Sequence, residues 1–251
     1  MEKWRGKSAL VTGANSGIGA AVTKKLLELG MIVAALDKQT DFLNDLKLMD
    51  RINGESLYVL NVDLSHEEEI IRAFQWAEDN IGGIDVLVNS AGIGGSSTLL
   101  EGSFNEWKNM VTINVIALSL CAKEAVKSMR KRNVECGHII HLSSNAAHIV
   151  PEYGPFHFYA ATKHAVKALT EGLRQELKNI NSPIRVTSIS PGIVKTSILK
   201  NCLGDEIDRL CYEKNPYLQT EDIASAVEYI LSTPAHVQIQ DLTIKPLGSN
   251  N

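Results

Sequence analysis

Thr12-Gly13-Ala14-Asn15-Ser16-Gly17-Ile18-Gly19 stands between two unlike stretches of the chain. Before it runs the apolar segment Ser8–Thr12. After it Ile18, Ala21, Val22, Lys25, Leu26 and Leu29 keep the i, i+3, i+4 rhythm of one helix face, and Gly30 falls where a left-handed helix end is needed. A tight turn needs positive φ, a diphosphate must reach the backbone with no Cβ in its way, and a helix N-terminus offers unpaired N–H groups to an anion. Gly13, Gly17 and Gly19 meet these needs, with Asn15, Ser16 and Ile18 between them. Three isolated glycines are equally a plain structural turn; the strand before and the helix after decide for dinucleotide binding.

Working outward, the next apolar run, Met31–Leu36, ends at Asp37, 18 residues beyond Gly19 and close to the spacing expected of a ribose-binding acid. A carboxylate there accepts from both ribose hydroxyls and repels a 2′-phosphate, which favours NAD over NADP; adjacent Lys38 argues the other way. Further apolar runs, Ser56–Asn61, Ile84–Asn89, His138–Ser143, Arg185–Ser190 and Asp241–Ile244, alternate with helical stretches. That alternation predicts an α/β fold: one Rossmann-type domain over residues 1–251, a doubly wound parallel sheet of about seven strands with helices on both faces. Ser65 with Glu68, and Ser103 with Glu106, match capping boxes and predict two helix starts.

Composition narrows the partners. With 44% hydrophobic and 22% charged residues and a net charge of −4, the chain is an ordinary globular sequence with no basic excess for nucleic acid. Cys121, Cys136, Cys202 and Cys211 form no CxxC pair, as expected of free thiols in the cytoplasm. The uncharged stretch Asn109–Ala122 falls short of the roughly 20 residues of a membrane span, and no membrane anchor is expected.

The order of motifs resembles the short-chain dehydrogenase/reductase family along essentially the whole chain. The resemblance rests on the glycine turn, Val62-Asp63 after the third strand, Asn89-Ser90-Ala91-Gly92 after the fourth, and Asn114 in the following helix. It continues through Ser144, Tyr159-Ala-Ala-Thr-Lys163 and Pro191-Gly192. Glu2-Lys3-Trp4-Arg5, Gly172–Leu177 and Leu231–His236 are similar to the branch of insect farnesol dehydrogenases and a vertebrate ketosteroid and carbonyl reductase. Two positions depart from the pattern: Ser90 stands where the family has a second Asn, and Asp37 where the branch carries an Arg-containing NADP signature. The resemblance implies an NAD(P)-dependent oxidoreductase, with Val62, Asp63, Asn89, Ala91, Gly92, Pro191, Gly192, Val194 and Thr196 at the cofactor. It also implies a homodimer or homotetramer formed through the helices that bear Asn114 and Tyr159.

Read as chemistry, Tyr159 and Lys163 share one helix face a turn apart, and a neighbouring ammonium together with the positive charge of an oxidised nicotinamide favours the phenolate of a phenol whose ordinary pKa is near 10. The bare spacing is also that of a helical tyrosine beside a surface lysine; the surrounding motifs select the catalytic alternative. Ser144 ends the fifth strand and is expected to hydrogen-bond the substrate oxygen, with Ser143 as the competing hydroxyl facing the other way. Asn114 lies in an apolar helix and needs partners: the backbone, the water-held proton relay through Lys163 that the resemblance implies, or both.

His138, His141, His148, His157 and His164 crowd one region without metal-ligand spacing, so no metal is expected. His148, Tyr153, Phe156 and Ile198 are expected to touch substrate along with Ser144. Residues 197–217 read as a lid, with Ile198, Leu199, Leu203, Leu210, Tyr212 and Tyr217 facing inward. With Ile149 and Val150 opposite, the pocket suits a lipophilic alcohol or ketone, foremost a farnesol-type isoprenoid. Alternatives are a steroid or general carbonyl reductase and, from another class, a non-catalytic dinucleotide-sensing protein.

Overall fold

The computed structural model describes residues 1–50 and 56–249. Seven parallel strands form one sheet: β1 (Ser8–Thr12), β2 (Ile32–Asp37), β3 (Leu57–Asn61), β4 (Val86–Asn89), β5 (His138–Leu142), β6 (Arg185–Pro191) and β7 (Asp241–Ile244). Their spatial order is β3-β2-β1-β4-β5-β6-β7, so the chain reverses its direction of travel between β1 and β4. Ligands of open α/β sheets sit at that switch point, beyond the carboxyl ends of the strands. All seven expected runs are strands; β2 is displaced one residue later, and β4 begins at Val86 rather than Ile84.

The strands are apolar throughout because both faces are covered. Ala9 and Val11 face a core shared with Val22 and Leu26 of α1 (Gly17–Glu28) and with Ile223, Val227 and Ile230 of a helix spanning Thr220–Ser232. Leu10, between them, faces the opposite core. There it meets Ile70, Phe74 and Ala77 of a helix spanning Glu67–Ile81, and Cys121, Ala125 and Met129 of one spanning Leu118–Lys131. In chain order the helices are α1, α2 (Asp41–Asp50), α3 (Glu67–Ile81), α4 (Phe104–Val111), α5 (Leu118–Lys131), α6 (His157–Asn179), α7 (Ile198–Leu203), α8 (Asp205–Lys214) and α9 (Thr220–Ser232).

Three local expectations are corrected. The Ser65/Glu68 capping box does not form: His66 is the N-cap of α3, while the Ser65 amide and hydroxyl both donate to Asp63 Oδ1. Asp63 is the better acceptor, and its own amide is taken by Glu69 Oε2. At Ser103 half of the box holds, since its hydroxyl accepts from Glu106 N. The Glu106 carboxylate turns instead to the amides of Ser96 and Ser97. Finally, α4 and α5 are joined by a π-helical turn, Thr112–Ala117, into one run from Phe104 to Lys131. By length and composition that run could cross a membrane; in the fold Met110, Asn114, Ala117, Cys121, Ala125 and Met129 are buried within the protein.

Candidate active site

The glycine turn works by close approach. Gly13 holds φ +66°, and a methyl added there would stand 2.7 Å from Ala91 Cα; one added to Gly19 would stand 2.1 Å from Gly13 O. Only hydrogen at these positions lets α1, the turn and the segment after β4 meet. Ser90 N and Ala91 N both donate to Thr12 Oγ1, at 3.1 and 3.2 Å. Ser16 is the N-cap of α1, yet its side chain makes no capping bond, leaving the first-turn N–H groups for an anion.

From this turn a cleft of about 660 Å³ extends along the carboxyl edge of the sheet. Gly13, Ser16, Gly17, Ile18 and Gly19 line one end together with Asp37, Lys38, Val62 and Asp63; Ala91, Gly92, Thr196 and Ile198 line the rest. The Asp37 carboxylate accepts from Asn15 N at 3.0 Å and Gln39 N at 3.1 Å, which fixes it at the end of β2. Hydrogen bonds from the Ser65 hydroxyl and amide hold the Asp63 carboxyl below its usual range, with His66 and Lys38 adding to the effect. Asp63 is held as an anionic acceptor, and the Asp37 carboxylate lies beside it in a cleft whose other end offers backbone N–H groups.

Beyond Gly92 the strand ends bring four polar side chains together. Ser144 follows β5 and hydrogen-bonds Tyr159, while also accepting from Ala146 N. Lys163 Nζ lies 5.5 Å from the Tyr159 ring centroid and donates to Leu142 O at 2.8 Å. Asn114 sits in the π-helical turn, where Oδ1 accepts from Ile93 N and Nδ2 donates to Ile93 O and Thr162 Oγ1. Thr162 Oγ1 in turn donates to Tyr159 O, so Asn114 ties the segment after β4 to the face of α6 that bears Tyr159. The partners it finds here are backbone and hydroxyl, the first of the alternatives open from sequence. Ser143 faces away, its hydroxyl directed at Lys163 O, which leaves Ser144 beside the phenol.

The protein's own groups do not make the phenol acidic. Burial pushes Tyr159 up to about 12 and the nearby Cys202 adds to this, while the Ser144 hydrogen bond only partly opposes it. Burial likewise lowers Lys163 to about 8. Burial is the largest cause for both groups, and the Lys163 ammonium is engaged by Leu142 O.

Comparison with known proteins matches residues 7–206 to the family described as short chain dehydrogenase. The chain belongs to the short-chain dehydrogenase family. It is accordingly an NAD(P)-dependent oxidoreductase. It is 44% identical over 250 residues to a protein of Bos taurus named dehydrogenase/reductase SDR family member 11, covering 98% of each chain. It is 43% identical, over 99% of each, to a farnesol dehydrogenase of Aedes aegypti. Among solved structures, the closed form of a serine dehydrogenase complexed with NADP+ superposes with a TM-score of 0.88 at 29% identity, covering 97% of this chain and 96% of that one.

A nicotinamide dinucleotide fits the chemistry of this short-chain dehydrogenase cleft. Uncapped helix N–H groups stand where a diphosphate is held, and carboxylates where hydroxyls are. Several expected contacts serve elsewhere. Asn15 Oδ1 accepts from Leu43 N of α2, and Asn89 Nδ2 donates to Leu118 O of α5, so each braces an element next to the cleft. Pro191 ends β6, Gly192 N donates to Ile244 O, and Val194 bridges to Leu218, which together aim the chain at Thr196.

Phe156 meets Tyr159 edge to face, with centroids 5.6 Å apart, and Tyr153 packs against Phe156 at a tilt of 42°. His148 points elsewhere, its ring between Ser190 and Lys167. In the 197–217 segment, Tyr212 is not an apolar wall residue. Its hydroxyl donates to the carbonyl oxygens of Val194 and Thr196 and accepts from Thr196 N, pinning the loop that leads to the cleft. Sequence reading passed over Cys202, which lines the cleft beside Gly94; only the packing of α7 reveals it.

Proposed function

We propose that this short-chain dehydrogenase interconverts a lipophilic alcohol and its carbonyl compound, with a farnesol-type isoprenoid alcohol as the leading substrate and NAD as the preferred cofactor. The observation that carries the reading is the Tyr159–Ser144 hydrogen bond at the edge of the dinucleotide cleft, with Lys163 and Asn114 behind it. When bound, the dinucleotide accepts or supplies the hydride. Tyr159 exchanges the proton of the substrate oxygen, and Ser144 holds that oxygen by a hydrogen bond. Lys163 adds positive charge beneath the phenol and reaches the nicotinamide ribose.

A farnesol dehydrogenase at 43% identity supports the substrate, as do the exposed apolar side chains Ile93, Ile149, Val150 and Tyr153 on the segments flanking the site. Residues 197–217 form the lid, with Ile198 at the cleft and Tyr212 at its hinge. The cofactor preference rests on Asp37, whose anchored carboxylate opposes a 2′-phosphate, while the Lys38 side chain that would attract one is exposed to solvent.

A second reading, reduction of a ketone or aldehyde as in a steroid or general carbonyl reductase, is favoured by Tyr159 itself. A phenol with a pKa of about 12 is protonated at neutral pH and ready to donate. A panel of lipophilic alcohols and ketones assayed with both cofactors tests all of this. The expected result is turnover of farnesol with kcat/KM about tenfold higher for NAD than for NADP. A uniform preference for NADP would overturn the cofactor assignment, and no turnover of any isoprenoid alcohol the substrate.

The assembly we propose is a homodimer or homotetramer through α5 and α6. Between these helices runs a groove of about 950 Å³ that includes Leu118, Ala122, Val126, Leu169 and Leu173, with Ile116 exposed nearby. Sedimentation would read a single species of two or four chains. A cytoplasmic location rests on the four thiols, and fractionation of cells tests it.

A further inference from the structure

We propose that His148 is a positioning residue that locks the Ser144 turn to the two other elements of the active site; the role rests on the proton-handling roles proposed above for Ser144, Tyr159 and Lys163. His148 closes the short helical turn Asn145–Ala147 that Ser144 caps, and its amide donates to Asn145 O at 2.9 Å. Its ring joins three separate pieces of the fold. Nδ1 lies 2.9 Å from Lys167 Nζ on α6, and Nε2 lies 3.0 Å from Ser190 Oγ on β6 and 3.6 Å from Asp241 Oδ1 on β7. Lys167 stands one helical turn after Lys163, and Ser190 directly precedes Pro191.

The chemistry of the partners sets the direction of every bond. An ammonium has donors and no lone pair, so Nδ1 accepts from Lys167 and the ring proton sits on Nε2. Nε2–H then donates to Ser190 Oγ, whose hydroxyl donates to Asp241 Oδ2 at 3.3 Å. Thr243 Oγ1 donates to Asp241 Oδ1 and orients the carboxylate. Ser190 is fully buried, so its hydroxyl depends on protein partners, and the chain of bonds cannot loosen without leaving it short. A surface histidine of no consequence would not be held at both nitrogens by elements that each carry part of the site. A glutamine has the right replacement groups, an amide donor and a carbonyl acceptor at opposite sides of one carbon.

The test uses the full chain and the alcohol of the panel that is turned over fastest, farnesol first. His148→Ala is expected to lower kcat about tenfold while the KM for cofactor stays within about twofold. Its melting temperature is expected to fall by about 2–8 °C, the cost of leaving the buried Ser190 hydroxyl one partner short, which keeps the enzyme folded at 25 °C. His148→Gln should recover most of kcat. Lys167→Met should lower kcat in the same sense, and the double variant His148→Ala/Lys167→Met should be no worse than either single one, because both break one chain.

Long-range 1H–15N spectra of the protein without substrate should show the ring protonated at Nε2. Unchanged kcat in His148→Ala, additive losses in the double variant, or a ring protonated at Nδ1 would each overturn the proposal. Tyr159→Phe separates the two levels. If it retains turnover the proposed catalytic roles fail, whereas an inactive Tyr159→Phe beside an unimpaired His148→Ala removes only the role of His148.

Discussion

Lys163 carries a charge that the fold makes costly. It is 5% exposed, and burial lowers it from 10.5 to about 8. Below pH 8 the amine is charged in both folded and unfolded chains, and the folded state bears the whole desolvation cost. Between pH 8 and 10.5 the folded state sheds the proton first, so this contribution makes the protein more stable as pH rises through that window. The cost is about 3 kcal/mol at most, less about 1 kcal/mol returned by the bond to Leu142 O. Lys163→Met should therefore raise the melting temperature at pH 7 by a few degrees, flatten its rise above pH 8, and lower kcat by at least about a hundredfold, as read by calorimetry and steady-state kinetics. Tyr159→Phe should abolish turnover by a similar factor while leaving cofactor affinity, measured by titration calorimetry, nearly unchanged. With a phenol that titrates at about 12, alcohol oxidation should accelerate as pH rises from 6 toward 9, because the phenolate fraction grows, whereas carbonyl reduction should stay nearly constant, because the phenol remains protonated throughout. At this scale the nearness of Tyr159, Lys163 and Ser144 was legible because residue type and spacing carry it. How deeply the fold buries the phenol, which sets the direction of its shift within the protein, was not.

Among elements, the lid segment shows how a polar atom on an apolar residue type escapes sequence reading. Tyr212 was grouped with Ile198 and Leu199 as wall, yet its hydroxyl makes three bonds to the backbone of residues 194–196. Tyr212→Phe keeps the ring against Tyr217 and removes those bonds. The KM for cofactor should rise about tenfold with kcat changed less than about threefold, as expected when Thr196 loses its support and the chemistry does not. The strands, by contrast, were legible almost to the residue, since a buried parallel strand must be apolar along its whole length. Helix starts were less so: Ser65 offers the right hydroxyl for a cap, but Asp63 lies within reach and takes it.

At the level of the whole molecule the two termini of the fold are stitched together. Trp4 is 1% exposed, its Nε1 donates to Leu231 O at 2.7 Å, and Lys3 Nζ donates to Thr233 O. Arg185, at the start of β6, holds the same region by bonds to Thr233 Oγ1, Pro234 O and Val237 O. Trp4→Ala should cost about 3–5 kcal/mol and lower the melting temperature by about 10 °C, with kcat at 25 °C unchanged because the cleft lies at the opposite edge of the sheet. Glu2-Lys3-Trp4-Arg5 was legible only as a family-like stretch, since its partners lie more than two hundred residues away. The π-helical turn that houses Asn114 reaches as far: it widens one turn of an otherwise regular run, and by taking up one residue there it leaves every side chain from Leu118 onward in place. A π-helical turn is an α-helix that holds one residue more than its ladder needs, so removing a single residue between Thr112 and Ala117 would close the run into regular α-helix and keep Cys121, Ala125 and Met129 on the sheet. What would be lost is the swollen turn that carries Asn114, so shortening this segment would spare the packing and strike the site.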